Sequence, residues 1–129
     1  MKTTLHQVIN RITERSLPDS VRKKSFIVND VEDQLLIPAD ENKVASILSG
    51  IICLVIDNTD NGCIRISAQK TQDAVVVSVK ETGITRNKMI IQQIERLCLL
   101  AEKMGAWIGF GENEPKTINI RFPQLQTAA

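Results

Sequence analysis

The stretch "VSVKETGITRNK", from Val77 to Lys88, joins two kinds of secondary structure within a short span. Apolar and polar residues alternate as far as Lys80, which predicts a β-strand with one buried face. Gly83 favours a turn, because glycine adopts backbone conformations that other residues avoid. A helical pattern starts at Asn87. The stretch therefore predicts a strand, a tight turn that includes Glu81 to Gly83, and a helix in immediate succession.

The rest of the chain predicts two further helices and five further strands. Residues 5–12 have apolar side chains at helical spacing, and Leu17-Pro18-Asp19 is expected to end that helix. Asp40 is a suitable N-cap for a second helix that stops at the turn-rich residues 57–62. The third helix covers residues 87–104, with Gly105 as its terminating residue. The predicted strands cover residues 25–29, 34–38, 63–68, 74–80, 106–110 and 117–122.

This order of elements predicts an α/β (α+β) fold. Helices with one apolar face pack most simply on one side of a sheet, which gives a two-layer sandwich. We expect a mixed, mostly antiparallel sheet with three helices on one face. Residues 1–123 are predicted to form a single domain, and residues 124–129, which show no pattern, a frayed C-terminal tail.

Composition excludes several functional classes. The chain has 129 residues, a formal net charge of +1 and few aromatic residues, so no nucleic-acid partner is expected. Its longest apolar run is too short to span a bilayer, and the N-terminus has no signal-peptide pattern, so no membrane partner is expected. Three separated cysteines are typical of reduced thiols in a cytoplasmic protein.

The order of elements and the motifs together resemble the ATP-binding domain of sensor histidine kinases, with relatives among the gyrase, Hsp90 and MutL ATPases. The resemblance runs along nearly the whole chain. Its segments in family order are "TTLHQVINRITERS", "KKSFIVNDVEDQLLIPAD", "DENKVASILSGIICLVIDNT", "VSVKETGI", "IQQIERLCLLAEKMGAWIGF" and "TINIRFP". The resemblance implies the histidine-kinase-like ATPase fold, known as the GHKL or Bergerat fold, and a place in bacterial two-component signalling.

The resemblance also implies an adenine-binding turn. The family's aspartate corresponds to Glu81, followed in register by Thr82 and Gly83. Glutamate keeps the carboxylate that would bind the adenine amine but adds one methylene. From the residues alone, an ordinary strand end with a glycine turn remains the other interpretation.

The metal and phosphate positions of the family are not preserved. Its Mg²⁺-binding asparagine corresponds to Leu54, and an acidic or asparagine position one turn earlier corresponds to Gly50. Mg²⁺ needs oxygen ligands, which neither side chain has. We therefore expect no cofactor, with ATP or ADP bound without Mg²⁺ as the alternative.

The family's mobile segment over the triphosphate is also missing. Only "TRNKM", Thr85 to Met89, separates the predicted turn from the last helix, and it has no glycine-rich motif. Arg86 and Lys88 could contact an anion there, although solvated loop charges are the commoner interpretation. The motif "GFGE", Gly109 to Glu112, falls in the last hairpin and indicates a turn.

These departures predict a degenerate domain. The predicted function is a signalling or regulatory module that binds proteins and lacks catalytic residues and ATP turnover of its own. The family implies a response regulator, a sensor kinase or a second copy as partner, and the first predicted helix is a candidate dimer surface. The alternative is a kinase ATP-binding domain that still holds adenine through Glu81, Thr82 and Gly83. His6 is followed by Gln7, not by an acid, so we expect a helix surface residue and not a phosphoacceptor.

Overall fold

The computed structural model describes residues 3–37, 40–85, 87–110 and 117–123, with the side chains of residues 83–85 and 87–92 left out. Over these residues the chain forms helices and strands in three successive groups. The helices are α1 (Leu5–Arg15), α2 (Leu17–Arg22), α3 (Glu41–Asp57) and α4 (Asn87–Lys103). The strands are β1 (Phe26–Asn29), β2 (Thr59–Lys70), β3 (Ala74–Thr85), β4 (Trp107–Phe110) and β5 (Thr117–Pro123).

The strands form one mixed sheet in the order β1-β2-β3-β5-β4. β1 pairs in parallel with β2, and the other neighbours pair antiparallel. The helices lie on one face of the sheet. The predicted α+β class and the one-sided helical layer are therefore confirmed. The described residues also form one short helix, α2, in addition to the three that were predicted.

The core lies between the helices and the sheet. Alternate residues of the central strands are fully buried, among them Ile64, Val77 and Ile120. The apolar stripe of α1 joins the same core, with Leu5 and Ile9 completely inaccessible. Of the first helix, which was predicted as a candidate dimer surface, the apolar stripe is thus already buried within its own chain.

Of the predictions before α3, one is incomplete and one is wrong. The first helix ends before Leu17-Pro18-Asp19 as expected, but these residues also begin α2, because proline is well suited to the first turn of a helix. No strand forms at residues 34–37. Leu36 makes only an isolated bridge to Thr4, and residues 38 and 39 lie outside the described part. This segment is attached to the start of α1 instead, where Leu5 N donates to Leu35 O at 2.9 Å.

The ends of the long helices follow their capping residues. The Asp40 side chain accepts from Asn42 N at 2.9 Å, as expected for an N-cap. After α4, Ala106 N donates to Ala101 O at 2.8 Å, and Gly105 has a φ of 75°. This arrangement is a Schellman motif, which needs a left-handed residue and so explains the glycine.

Strand β2 begins earlier than the sequence predicts. Residues 59–62 were assigned to a turn, but they pair with the end of β3 around a bulge between Asp60 and Cys63. Gly62 lies at the bulge, where an added Cβ would be 2.1 Å from Thr82 O. Turn-forming residues therefore enter a strand here, because the bulge accommodates them.

No helix in the described part of the chain is long and apolar enough to cross a membrane. The predicted frayed tail, residues 124–129, lies outside the described residues.

Candidate functional site

The predicted adenine turn is part of a continuous strand. Glu81 pairs with Ile64 and Thr82 with Cys63, and β3 continues through Gly83 to Thr85. The expected turn is therefore wrong. The early start of β2 supplies Thr59 as the partner of Thr85, so the ladder keeps this segment extended.

Strand geometry separates the two described side chains of this segment. Glu81 is 4% exposed and lies on the helix-covered face, whereas Thr82 is exposed on the opposite face. The Thr82 hydroxyl donates to Cys63 O at 3.4 Å. Of these two residues, only Glu81 can reach a ligand held between the sheet and the helices.

Polar side chains at the end of α3 are buried near this end of the sheet. Asn58 is 5% exposed, and its Nδ2 donates to Leu54 O at 2.8 Å and to Gln93 Oε1 at 3.4 Å. Thr59 is completely buried, and its Oγ1 donates to Val55 O at 2.6 Å. Both residues were predicted only as turn residues. Their hydrogen bonds close the last turn of α3, so Asn58 already uses its amide within the fold.

Leu97 of α4 lies directly over Gly50 of α3. A Cβ added at Gly50 would be 2.6 Å from Leu97 Cδ2 and 3.4 Å from Leu97 Cδ1. The side-chain volume at this position is therefore occupied by α4. The sequence placed Leu97 on the apolar face of its helix, but it did not indicate which residue of α3 Leu97 would meet.

The residues at the expected metal position do not fit Mg²⁺. Leu54 is 9% exposed and, like Gly50, has no side-chain oxygen. Mg²⁺ requires near-octahedral oxygen ligation, and neither of these two positions supplies an oxygen. Within the described ranges, no group of three His, Cys, Asp or Glu residues could hold a metal ion.

Most of the segment expected to contact phosphates lies outside the described residues. Arg86 is not described, and for Lys88 only the helical backbone is. Of the "GFGE" motif, Gly109 and Phe110 belong to β4, and the remaining two residues fall in the undescribed range 111–116. A Cβ at Gly109 would be 2.2 Å from the Trp107 ring, so the ring lies over this glycine.

His6 connects α1 to the segment that follows β1. Its Nδ1 lies 2.7 Å from Val31 O, and its Nε2 lies 3.4 Å from Asp33 Oδ1. The ring is half-buried, so the prediction of a surface residue is only partly correct. These contacts give the residue a structural role.

Comparison with solved structures identifies the fold. The histidine kinase AdeS of Acinetobacter baumannii superimposes with a TM-score of 0.79 at 10% identity, covering 98% of this chain and 68% of AdeS. The catalytic domain of histidine kinase ThkA gives 0.72 at 16% identity, covering 96% of each chain. Full-length ShkA, solved with AMPPNP, gives 0.71 at 19% identity, covering all of this chain and 31% of ShkA.

The chain therefore has the fold of the histidine kinase ATP-binding domain, as its motifs suggested. It spans about a third of the length of full-length ShkA. No protein-family model and no curated protein sequence matches it, so the likeness rests on the fold.

Proposed function

We propose that this chain is a degenerate domain of the histidine kinase ATP-binding type that acts in signalling by binding another protein, without turning over ATP. The observation that carries the proposal is the packing at Gly50 and Leu54. Neither position offers an oxygen to Mg²⁺, and Leu97 fills the space beside Gly50. A triphosphate in a dry site needs its charge compensated, which these residues do not provide.

A response regulator, a sensor kinase or a second copy of the chain is the partner class that the proposal implies. ThkA has been solved in complex with the response regulator protein TrrA, and that complex supports the first of these. A homodimer would need a surface other than the apolar stripe of α1, which the core already buries. The three cysteines are free thiols, which supports a reducing, cytoplasmic setting.

A thermal-shift titration with ATP, ADP and adenosine, with and without Mg²⁺, tests the loss of the nucleotide site. A ligand bound only to the folded state stabilises it by about 2.7 kcal/mol at a hundredfold excess over Kd. We expect no Mg²⁺-dependent shift with ATP at millimolar concentration. A Mg²⁺-dependent shift, or phosphate release above a no-protein control, would overturn the proposal.

The second candidate function is adenine binding without Mg²⁺. It is favoured by one observation, the placement of the Glu81 carboxylate on the helix-covered face at 4% exposure. A shift with adenosine, ADP and ATP alike that does not need Mg²⁺ would support this candidate. The Glu81→Gln variant is the matched control, because it keeps the shape but removes the negative charge that would strengthen the hydrogen bond from the adenine amine, and it should weaken binding.

Protein binding is tested separately from nucleotide binding. Isothermal titration against isolated receiver domains of response regulators and against sensor-kinase helical hairpins measures the first two partner classes. Sedimentation velocity over a range of concentrations measures self-association. Saturable binding in one of these assays supports the proposed module, and the absence of binding in all three contradicts it.

A further inference from the structure

A groove runs between the start of α3 and the end of α4, about one helical turn from the contact of Gly50 with Leu97. It has a volume of about 280 Å³, and Ile47, Leu100 and Met104 form its apolar lining. Leu100 is 49% exposed, and its neighbour Leu99 is 63% exposed. Apolar side chains of this size are usually covered when they line a concave surface.

The charges at this groove have one sign. Lys43 of α3 and Lys103 of α4 line it from opposite helices, with the polar side chains of Asn42 and Ser46 beside them. Among the described residues neither lysine has an ion-pair partner, since the observed pairs involve other cations. None of the described residues that line the groove is acidic.

The larger groove between α1, α2 and β1 differs in this respect. Its lining contains Glu14 as well as Lys24, so its charges do not select one sign of ligand. The groove between α3 and α4 is smaller but selective, because it combines an apolar floor with two cations and no anion.

From this charge pattern we propose that the α3–α4 groove binds an amphipathic helix of a partner protein, with adjacent leucine-type side chains flanked by acidic residues. A helix presents such side chains at positions i, i+3 and i+4, the spacing by which helices bind in grooves. Its apolar side chains would cover the exposed surface of Leu100 and Met104, and its carboxylates would meet Lys43 and Lys103. The inference rests on the proposed function as a protein-binding module and names its surface.

A pair of synthetic helical peptides tests the proposal with the full chain. Both carry leucines at i, i+3 and i+4, with glutamates flanking them in one peptide and lysines in the other. In a ¹⁵N-HSQC titration the glutamate peptide is expected to shift the amides of Ile47, Leu100 and Met104, and the lysine peptide is not. The response should weaken as salt is added, because the contacts include exposed charges.

Matched variants distinguish binding in the groove from general effects of surface charge or side-chain size. Lys43→Glu and Lys103→Glu are each expected to weaken binding of the glutamate peptide by about fivefold or more, whereas the exposed control Lys70→Glu leaves it unchanged. Leu100→Ala is expected to weaken binding, and Leu99→Ala, outside the groove lining, is not. Unshifted amides, equal binding of the two peptides, or insensitivity to both lysine changes would overturn the proposal.

Other occupants give distinct results. A concentration-dependent dimer that Leu100→Ala dissociates would assign the groove to a second copy and overturn the inference. Mg²⁺-dependent ATP turnover would contradict the proposed function while leaving the peptide result intact. The two failures are therefore distinguishable.

Discussion

The contact between Gly50 and Leu97 leads to a prediction whose size depends on the partner residue. Gly50→Ala adds a Cβ 2.6 Å from Leu97 Cδ2, whereas carbon atoms pack best about 3.5–4.0 Å apart. The Leu97 methyl must therefore move by about 1 Å. Because this methyl ends a flexible, half-buried side chain, the overpacking cost should lie at the low end of its range, about 1 kcal/mol. Replacing a helical glycine by alanine stabilises the helix by about 1 kcal/mol, so we expect almost no net change in the free energy of unfolding.

The same change should stabilise the Leu97→Ala background. There the overlapping methyl is absent, so only the helix-propensity gain of about 1 kcal/mol remains. The two effects of Gly50→Ala then differ by about 1 kcal/mol, above the scatter of about 0.5 kcal/mol for independent sites. Urea unfolding of the four proteins measures this difference, with exposed Lys43→Ala as a control that should be additive with Leu97→Ala. If the effects of Gly50→Ala and Leu97→Ala are additive, Leu97 does not fill the space beside Gly50, and the argument that this position cannot take part in a metal site loses its packing support.

Four further predictions concern the fold and its thiols. Gly62→Ala places a Cβ 2.1 Å from the carbonyl of Thr82, and because backbone cannot easily move aside, we expect a loss of about 3 kcal/mol or more in urea unfolding. Asn29→Ala removes the side-chain hydrogen bonds that connect β1 to α1 and to the following loop. It should lower the unfolding free energy by about 2 kcal/mol. An unchanged urea midpoint would contradict this. Burial raises the pKa of the Cys98 thiol, and nearby glutamates raise it further, so iodoacetamide at pH 8 should modify exposed Cys53 before Cys98 in a mass-spectrometric time course. Because the unfolded Cys98 thiol ionises at lower pH than the folded one, the unfolding free energy should fall as pH rises through the unfolded pKa, and Cys98→Ala should reduce that slope.

Local patterns were sufficient for the three long helices and for most of the sheet. The capping residue Asp40 and the terminating residue Gly105 act within a few residues of themselves, so their roles could be predicted without knowing any distant contact. The hairpin predicted from residues 63–80 also forms, because strand alternation and a short polar loop are local signals. The same reasoning failed at residues 34–38, whose apolar run predicted a strand. The described part of that segment instead attaches to the start of α1 through the backbone hydrogen bond at Leu35 and the isolated bridge at Leu36.

Pairing between distant residues explains the errors at the candidate site. Glycine and polar residues around Gly83 have local turn propensity, but Thr85 finds a ladder partner in Thr59, and the ladder outweighs that propensity. As a consequence Glu81 and Thr82 lie on opposite faces of the sheet, which no local pattern indicated.

The sequence by itself determined the types of the long helices and strands and the one-sided helical layer, because these follow from short-range periodicity. It also determined that positions 50 and 54 have no side-chain oxygen for Mg²⁺, because this follows from the chemistry of glycine and leucine. Only the tertiary structure decided what occupies the space beside those positions. Leu97 reaches Gly50 from a helix that starts well beyond the end of α3, and close packing of a leucine against a glycine depends on how two distant helices are placed. The placement of Lys43 beside Lys103 was decided in the same way, since the facing of α3 and α4 brings them to one groove.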